Sequence, residues 1–405
     1  MKLVLLSGGS GKRLWPLSND QRSKQFIKIL RNGDKMESMV QRVWHQLEEI
    51  GLLEDTYIAT SESQRSILKN QLGISDNKII AEPSRRDTFP AIALASCFLK
   101  SIEGISTDET IVVLPVDPYV DTSFFERIKD LKTLLEEEKA TLGLLGIEPS
   151  FPSEKYGYIV PESETSRKVR YFQEKPDTDL AKKLIDDGAV WNAGIFCFKL
   201  STILGLLNKM KITTNFDELI NNYEILPKNS FDYEFTEKQN NIAFLRYEGC
   251  WKDLGTWNTL TEEMDSSSVG YAIEMIDTTN THVINESLLP VAVIGATNLV
   301  VAAGPEGIFV STKEASPRVK EISKEFFESI RFIEESWGNQ YTMFETNNAQ
   351  AIRYKVLDGK SISLNLDSNQ TLTRLSGEGR VANTGRLFEI TGINDFNFVV
   401  VTEEK

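Results

Sequence analysis

Three glycines and two cations near the N-terminus have the types and spacing of a phosphate-binding loop. Gly8, Gly9 and Gly11 follow an apolar run directly, so the backbone there can approach a ligand closely and direct its N–H groups toward it. Arg13 and Lys24 add positive charge that suits a triphosphate. The loop lacks the G-K-[ST] ending of a Walker A loop, and its G-G-x-G spacing differs from the dinucleotide fingerprint G-x-G-x-x-G. These residues therefore predict a triphosphate cradle of another kind rather than a plain glycine-rich turn.

A carboxylate follows the most hydrophobic segment of the N-terminal half. The run 111–114 is typical of a central strand, and Asp117 comes soon after it. Ligands of parallel α/β sheets bind at the carboxyl ends of the strands, so we expect Asp117 to lie at a ligand-binding edge. The chain contains only two histidines, His45 and His282. This count argues against His-ligated zinc sites and against a histidine-based catalytic triad.

The composition is that of a globular protein with more than one core. Of the 405 residues, 40% are hydrophobic and 26% are charged, and the length corresponds to two or three domains. The net charge of −14 argues against a nucleic-acid partner, because a phosphate backbone favours a basic surface. The three dispersed cysteines predict buried free thiols in a reducing compartment: Cys97, Cys197 and Cys250. No apolar run reaches the ~20 residues of a membrane span, so we expect a cytoplasmic protein without membrane contact.

The N-terminal two thirds of the chain alternate between strand-like and helix-like segments. Short apolar runs predict strands at 2–6, 56–60, 78–81, 109–114 and 141–147. Helical spacing of apolar residues predicts helices at 36–50, 63–72, 90–102 and 123–138. This alternation predicts an α/β fold with a mostly parallel sheet and right-handed crossovers.

The pattern changes at a linker-like stretch over 262–270. Short strands follow at near-regular spacing over 271–311, which suits either a small β-solenoid or a sandwich cap. Apolar residues at helical spacing predict an amphipathic helix over 317–335, and more short strands follow Trp337. We therefore expect three parts: an α/β domain over 1–265, a short-strand β cap over 266–316, and a helix plus β-rich tail over 317–405.

Seven motifs, in order, resemble those of the sugar nucleotidyltransferases. GGSGKRLWPLS with KQF at 24–26 is followed by EPSRRDTFPAIA at 82–93, LPVD at 114–117, EKYGYI at 154–159, FQEKPD at 172–177, WNAGIF at 191–196 and WKDLGTW at 251–257. The LWPLS run and the KQF triplet resemble the mannose-1-phosphate guanylyltransferase branch, also called GDP-mannose pyrophosphorylases. The resemblance implies a Rossmann-like nucleotidyltransferase domain of the GT-A type with a mostly parallel sheet, followed by a small β-rich region.

The resemblance also implies a reaction: GMP passes from GTP to α-D-mannose 1-phosphate, which gives GDP-mannose and pyrophosphate. The attacking phosphate oxygen is already an anion, so the site must supply charge neutralisation and in-line alignment rather than a strong base. Asp117 and Asp253 would hold Mg²⁺ (or Mn²⁺), because a hard cation prefers oxygen ligands. Arg13 and Lys24 would hold the triphosphate and stabilise the departing pyrophosphate. These four residues form the implied catalytic set.

Binding residues are implied in the same way. The nucleotide is expected at Leu6, Ser7, Gly8, Gly9, Gly11, Arg13, Lys24, Pro83, Arg86, Asp87 and Thr88. Thr88 also suits the N-cap of the helix that follows it. The sugar phosphate is expected at Gly157, whose backbone permits close approach, at Glu174 and Lys175, which suit hydroxyls and a phosphate, and at Asn192, which is both donor and acceptor.

Departures from the family pattern leave alternatives open. Ser23 stands where the family usually has Pro, Phe89 replaces a small residue, and Pro118 replaces His. One alternative is a nucleotidyltransferase for another sugar 1-phosphate (hexose or heptose) or another nucleoside triphosphate, and the second is a non-catalytic regulatory paralogue that binds a nucleotide-sugar.

The tail resembles a shortened cupin, and because no histidine follows His282 we expect no zinc-dependent isomerase activity from it. The family and the β-rich tail favour a homodimer.

Overall fold

The computed structural model of the protein describes residues 1–9, 12–322, 324–328 and 330–403. These residues form two compact units, each built from several chain segments. The first unit consists of Met1–Gly8, Val40–Arg65 and Ser75–Asp253, and the second consists of Gly9–Met39, Ser66–Ile74 and Leu254–Lys405. The predicted boundaries after residues 265 and 316 stay predictions.

The strands and helices are numbered along the chain. The strands are β1 (Lys2–Ser7), β2 (Leu30–Asn32), β3 (Lys35–Glu37), β4 (Thr56–Ser61), β5 (Ile79–Glu82), β6 (Thr110–Pro115), β7 (Pro118–Val120), β8 (Leu142–Ile147), β9 (Tyr158–Pro161), β10 (Val169–Gln173), β11 (Val190–Lys199), β12 (Ile242–Tyr247), β13 (Trp251–Asp253), β14 (Ser268–Gly270), β15 (Ile273–Ile276), β16 (His282–Asn285), β17 (Val291–Ile294), β18 (Leu299–Gly304), β19 (Gly307–Thr312), β20 (Phe332–Glu335), β21 (Gly338–Glu345), β22 (Ala349–Val356), β23 (Ser361–Asn365), β24 (Gln370–Thr384) and β25 (Leu387–Glu403). The α-helices are α1 (Met39–Glu49), α2 (Arg65–Leu72), α3 (Thr88–Ser101), α4 (Thr122–Glu138), α5 (Thr178–Asp186), α6 (Leu200–Lys209), α7 (Phe216–Asn221), α8 (Phe231–Glu234), α9 (Trp257–Glu262) and α10 (Lys324–Glu328).

A nine-stranded sheet forms the centre of the first unit. Strands β6, β1, β4 and β5 lie side by side and run parallel, with Val4 opposite both Tyr57 and Val113. The middle of β1 is fully buried, as expected of a parallel strand covered on both faces. Helix α3 is buried along most of its length and belongs to the same hydrophobic core. The predicted α/β class with its parallel strands is confirmed.

The other side of this sheet contains antiparallel strands. The long strand β11 pairs antiparallel with β6, β8 and β9, and β8 in turn pairs parallel with β12. A separate two-stranded ribbon joins β7 to β13. Because β7, β9, β11 and β13 contain or adjoin the later sequence motifs, this side of the sheet and the separate ribbon together position most of the candidate site.

The second unit contains a β-solenoid. Strands β14, β16 and β18 pair parallel in one ladder, and β15 and β17 pair parallel in another. Parallel stacking of successive short strands is typical of a solenoid, and this settles the choice left open by the sequence. The final strand β19 turns back and pairs antiparallel with β18.

The C-terminal part of the second unit is a six-stranded antiparallel sheet. Its order is β20-β21-β22-β25-β23, and β24 also pairs with the long strand β25. Buried side chains of this sheet form a small core of their own: Tyr354, Val356, Leu366, Ile390, Phe396, Phe398 and Val400. The β-rich C-terminal region is thereby confirmed.

The sequence predictions for the segment 317–335 and for Cys250 are wrong. The single helix over 317–335 is replaced by a 3₁₀ segment at Ser316–Glu321, the short helix α10 and strand β20. The apolar spacing suited a helix, but Ile333 instead pairs opposite Gln340 of β21, so sheet pairing determines the last part of the segment. Cys97 and Cys197 are buried as predicted, but Cys250 is exposed, because it lies in the connection between β12 and β13.

No helix in the described part of the chain is both long and apolar enough to cross a membrane.

Candidate active site

Strand β1 leads directly into the predicted phosphate loop. Leu6 and Ser7 are its last residues, and the Ser7 carbonyl accepts a hydrogen bond of 3.1 Å from the Thr60 hydroxyl. Gly8 and Gly9 follow and are exposed, and Gly9 has a φ of 154°, which favours glycine. The predicted residue Gly11 lies outside the described residues. The described part of the loop therefore presents an exposed, glycine-rich backbone at the carboxyl end of a parallel strand.

The two predicted triphosphate cations lie on one folded segment of the second unit. Arg13 is exposed, and Leu14 after it starts a tight turn in which the Leu14 carbonyl accepts from the Leu17 amide at 3.0 Å. Lys24 is partly buried and starts a single 3₁₀ turn that ends at the buried Phe26. Both cations are thus carried by a segment with defined turns.

The ribbon of β7 and β13 brings the two predicted metal ligands together. Asp253 lies opposite Pro118, and Asp117 directly precedes Pro118. Both aspartates are partly buried. Mg²⁺ takes one or two carboxylates and completes its octahedron with waters and substrate oxygens, so this donor set fits the cation. Among the described residues, no group of three or more His, Cys, Asp or Glu side chains is arranged to hold a metal ion.

The segment after β5 starts from a buried carboxyl group. Glu82 is 6% exposed and accepts a hydrogen bond of 2.5 Å from the Tyr223 hydroxyl. Burial raises the pKa of Glu82 to about 7. Pro83 is exposed. The guanidinium of Arg86 forms an ion pair with Glu224 and donates to the Leu226 carbonyl at 3.0 Å, so this side chain ties the segment to the rest of the unit.

Helix α3 is capped by Asp87 and not by Thr88, so the predicted N-cap is wrong by one residue. The Asp87 carboxylate accepts from the Thr88 amide at 2.7 Å, and Asp87 itself has a φ of 75°. With a ψ of −175° this is a conformation that essentially only glycine adopts without strain, so the surrounding structure must hold Asp87 in it. Thr88 is the first helical residue, and its hydroxyl accepts from the Phe231 amide at 2.8 Å. The start of helix α3 is therefore joined to helix α8.

The four predicted sugar-phosphate residues lie together in the first unit. The Gly157 carbonyl accepts from the Asn192 amide at 2.8 Å, because β9 and β11 are neighbours. A Cβ at position 157 would lie 2.6 Å from Oε2 of Glu174, which shows how closely the backbone passes that carboxylate. Glu174 is buried and forms an ion pair with Lys175. The structure thus brings three separate sequence motifs to one cluster.

Electrostatics of this cluster follow from burial and from the ion pair. Burial raises the pKa of Glu174, although the Lys175 ammonium acts in the opposite direction. Burial alone would lower the pKa of Lys175, but its ion pair with Glu174 raises it. Lys175 has a φ of 41°, and its ammonium lies 5.8 Å from the centre of the Tyr233 ring. Lys175 is about half exposed, so its ammonium can meet a phosphate from solvent.

Two acidic residues of the same cluster were missed by sequence reasoning. Asp232 accepts a hydrogen bond of 3.0 Å from the Asn192 side-chain amide, and Glu237 accepts one of 2.9 Å from the Glu174 backbone amide. Burial and the nearby Glu174 carboxylate raise the pKa of Asp232 to about 7. The available signal was an acidic residue inside the aromatic run SFDYEF, which is unusual for a purely apolar core.

An aromatic cluster links the sugar motifs to the motif that contains Asp253. The Tyr156 ring lies 4.9 Å from that of Trp191 and 5.5 Å from that of Trp251. Tyr156 precedes Gly157, Trp191 precedes Asn192, and Trp251 lies two residues before Asp253. These rings therefore link the ribbon of β7 and β13 to the cluster around Gly157 within the first unit.

Comparisons with known proteins identify the family of this chain. A mannose-1-phosphate guanylyltransferase of Escherichia coli is 29% identical in an alignment that covers 90% of this chain and 84% of that protein. The xanthan biosynthesis protein XanB of Xanthomonas campestris pv. campestris (strain B100) is 28% identical and covers 90% of this chain and 82% of its own length. A crystal structure described as mannose-1-phosphate geranyltransferase from Thermus thermophilus is 28% identical, with a TM-score of 0.66 over 81% of this chain and all of that one. The nucleotidyl transferase family matches residues 2–268. The chain therefore belongs to the nucleotidyl transferase family.

Proposed function

We propose that the protein transfers GMP from GTP to α-D-mannose 1-phosphate and releases pyrophosphate, forming GDP-mannose. The observation that carries the proposal is the cluster of Gly157, Glu174, Lys175 and Asn192, joined through the aromatic rings to the Asp253 motif. A buried carboxylate beside an accessible ammonium suits a ligand with both hydroxyls and a phosphate. Relatives named mannose-1-phosphate guanylyltransferase support the choice of guanine and mannose.

The roles of the residues follow from the charge that the reaction moves. The sugar 1-phosphate oxygen attacks the α-phosphorus in line, and pyrophosphate leaves. Lys175 would hold the attacking phosphate, while Glu174 and Asn192 would orient the sugar through its hydroxyls. Arg13 and Lys24 would hold the triphosphate and stabilise the charge that develops on the leaving group. No proton has to be removed from the nucleophile, so the site needs no general base.

Asp117 and Asp253 are the proposed ligands of a divalent cation, Mg²⁺ or Mn²⁺. When bound, such a cation neutralises phosphate charge and orients the α-phosphate for attack. The nucleotide itself would lie along Leu6, Ser7, Gly8, Gly9 and Gly11 and along the segment Pro83, Arg86, Asp87 and Thr88. Within this segment we propose that Arg86 acts by holding the loop through Glu224 and the Leu226 carbonyl, since its guanidinium is already bonded there.

The proposal is tested by pyrophosphate release. Purified protein with Mg²⁺ is offered each common nucleoside triphosphate with each of several sugar 1-phosphates, and we expect release with GTP and mannose 1-phosphate. Asp117→Asn and Asp253→Asn should each lower kcat by at least about 10²-fold, because they remove charge from the metal site. Asp179→Asn is the matched control, since its side chain is 89% exposed on α5. Its activity should equal that of the wild type.

The outcomes separate the alternatives. Turnover with a different pair of substrates would keep the chemistry and replace the substrate assignment. Binding of GTP or GDP-mannose without release by any pair would refute the enzyme and favour a regulatory paralogue. We further propose that the protein is a cytoplasmic homodimer, and light scattering of the purified protein would contradict the dimer if it gave the mass of one chain, 45.7 kDa.

A further inference from the structure

The segment that carries Arg13 and Lys24 is tied to the β-solenoid by a buried ion pair. The Arg22 guanidinium donates two hydrogen bonds to Glu286, at 2.6 and 2.9 Å, and lies 5.0 Å from the centre of the Phe332 ring. The Arg22 side chain is only 7% exposed. Paired N–H groups on one carboxylate fix orientation as well as distance. The backbone two residues before Lys24 is therefore held in a defined place.

A second set of bonds holds the turn that precedes Arg22. The Asn19 side-chain amide donates to Glu306 at 2.8 Å and to the Phe332 carbonyl at 2.9 Å. Its oxygen accepts from the backbone amides of Gln21 and Arg22 at 2.8 and 2.7 Å. The Asn19 side chain thus both closes the turn and attaches it to the C-terminal part of the chain.

Glu306 joins this turn to strand β20. Its carboxylate also accepts from the backbone amides of Arg331 and Phe332, at 2.8 and 3.2 Å. At the other end of the segment, the buried Trp15 ring lies 5.7 Å from the Phe326 ring of α10. The segment is therefore fixed near residue 15 and near residues 19–22, whereas Arg13 remains exposed.

These buried polar contacts fix the geometry of the segment more than they stabilise the fold. A buried ion pair gains little stability over apolar side chains of the same volume, because both charges lose their hydration. What the bonds of Asn19 and Arg22 do provide is a single backbone geometry for the turn. A fixed geometry matters where two cations bind one triphosphate. Displacing such a positioning group by about 1 Å costs up to about 10²-fold in rate.

We infer that Asn19 and Arg22 are positioning residues for the triphosphate site, and that Glu286 and Glu306, by holding these two residues, give the C-terminal region an indirect part in nucleotide binding. This inference rests on the proposed function, in which Arg13 and Lys24 hold the triphosphate. It assigns to the solenoid and to β20 the task of keeping the segment between these cations in one conformation.

The test compares two substrates in one protein. Glu286→Gln keeps the shape of the side chain and removes its charge, and Arg22→Lys keeps a charge and removes the paired geometry. Each should raise the KM for GTP about tenfold and leave the KM for mannose 1-phosphate unchanged. The double variant that combines Arg22→Glu with Glu286→Arg should recover part of the GTP affinity that either of these two substitutions alone removes. Arg318→Lys is the matched control, because Arg318 is an exposed member of another Arg–Glu pair in the same unit.

Several results would overturn the inference. If both KM values rose together, or if only the melting temperature fell, the pair would be structural and not specific to the triphosphate. If Arg22→Lys fails to fold, Glu286→Gln answers the same question, since it changes one atom. If the wild type releases no pyrophosphate from any pair, the proposed function fails, and calorimetric titration with GTP then decides the inference: unchanged affinity in Glu286→Gln, or no GTP binding by the wild type, refutes it.

Discussion

A methyl group added at Gly157 should weaken binding of the sugar phosphate selectively. A Cβ at this position would lie 2.4 Å from Cζ of Phe172 and 2.6 Å from Oε2 of Glu174. Phe172 belongs to the hydrophobic core and is 7% exposed, so it has little room to move. To restore a contact of 3.4 Å, the Glu174 oxygen must move by about 0.8 Å. Gly157→Ala therefore displaces a carboxylate that we assign to the sugar hydroxyls.

The size of the effect follows from that displacement. A shift approaching 1 Å in a positioning group costs up to about 10²-fold in kcat/KM. We expect a loss of about 10- to 100-fold for mannose 1-phosphate, which corresponds to about 1.4 to 2.7 kcal/mol. The KM for GTP should stay close to that of the wild type. Crowding of Phe172 should also lower the free energy of unfolding, by about 1–3 kcal/mol.

Initial-rate kinetics with each substrate varied in turn, together with urea unfolding, measure both effects. Gly205→Ala is the matched control: Gly205 lies in α6 and lacks a positive φ. Apart from its chain neighbours and the backbone of its own helix, no atom of the described residues lies within 4 Å of the added methyl group. That variant should keep both KM values and gain up to about 1 kcal/mol of stability from helix propensity.

A double-mutant cycle identifies the contact that matters. If the methyl group acts through Glu174, adding Gly157→Ala to Glu174→Ala should cost little more in sugar binding than Glu174→Ala alone. Additive losses would place the effect on Phe172 instead. An unchanged KM for mannose 1-phosphate in Gly157→Ala would refute the assignment of this backbone to the sugar site.

Three further predictions concern groups of the first unit. Lys175→Met should raise the KM for mannose 1-phosphate by at least about tenfold. Loss of its ammonium should also raise the pKa of Glu174 further, so that in kinetics over a pH series acidification weakens sugar binding at a higher pH than in the wild type. Asp87→Ala should lower the free energy of unfolding by about 0.5–2 kcal/mol through loss of the α3 cap. Asp87→Gly should lower it by only a few tenths of a kcal/mol, because glycine accepts the φ of 75°. Equal losses for the two variants in urea titrations would contradict this prediction. Glu82→Gln should gain up to about 3 kcal/mol of stability relative to the wild type as the pH rises from about 4 to about 7. The wild-type carboxyl beside Tyr223 keeps its proton up to a pKa of about 7 in the folded protein but loses it near 4 in the unfolded protein. A stability difference that does not change with pH would contradict the raised pKa.

The parallel core of the first unit could be predicted from sequence because its elements have clear periods. The apolar run before Ser7 and the apolar helix after Thr88 are buried as their patterns indicate. The sugar-phosphate cluster could also be predicted from its motifs, although residues 157 and 192 are far apart in the chain. Their contact depends on the pairing of β9 with β11, which local periodicity does not determine.

Other parts of the site could not be predicted, for identifiable physical reasons. Asp232 lies on a helix of four residues, which is too short to have a period, and its raised pKa arises from neighbours distant in sequence. The cap at Asp87 depends on a positive φ that the sequence EPSRRDT does not reveal. Strand β20 has helical spacing but pairs with β21, because sheet contacts override a short apolar pattern.

The register of the solenoid bears on how this family of chains can change in length. Ile273 lies opposite Val291, Thr279 opposite Thr297 and Val283 opposite Val301, and each pair is separated by 18 residues. Each coil contacts mainly its neighbours, so the array behaves as a stack of similar units. An insertion of 18 residues between β17 and β18 would add a complete coil and leave every inward-facing side chain inward. A single residue inserted within a strand would turn the apolar positions after it to the wrong face. The first coil is shorter, since Ser268 lies opposite Val283, so a change in length is absorbed in the turns. Evolution or engineering can therefore lengthen this region by whole coils or at its turns, but not within its strands.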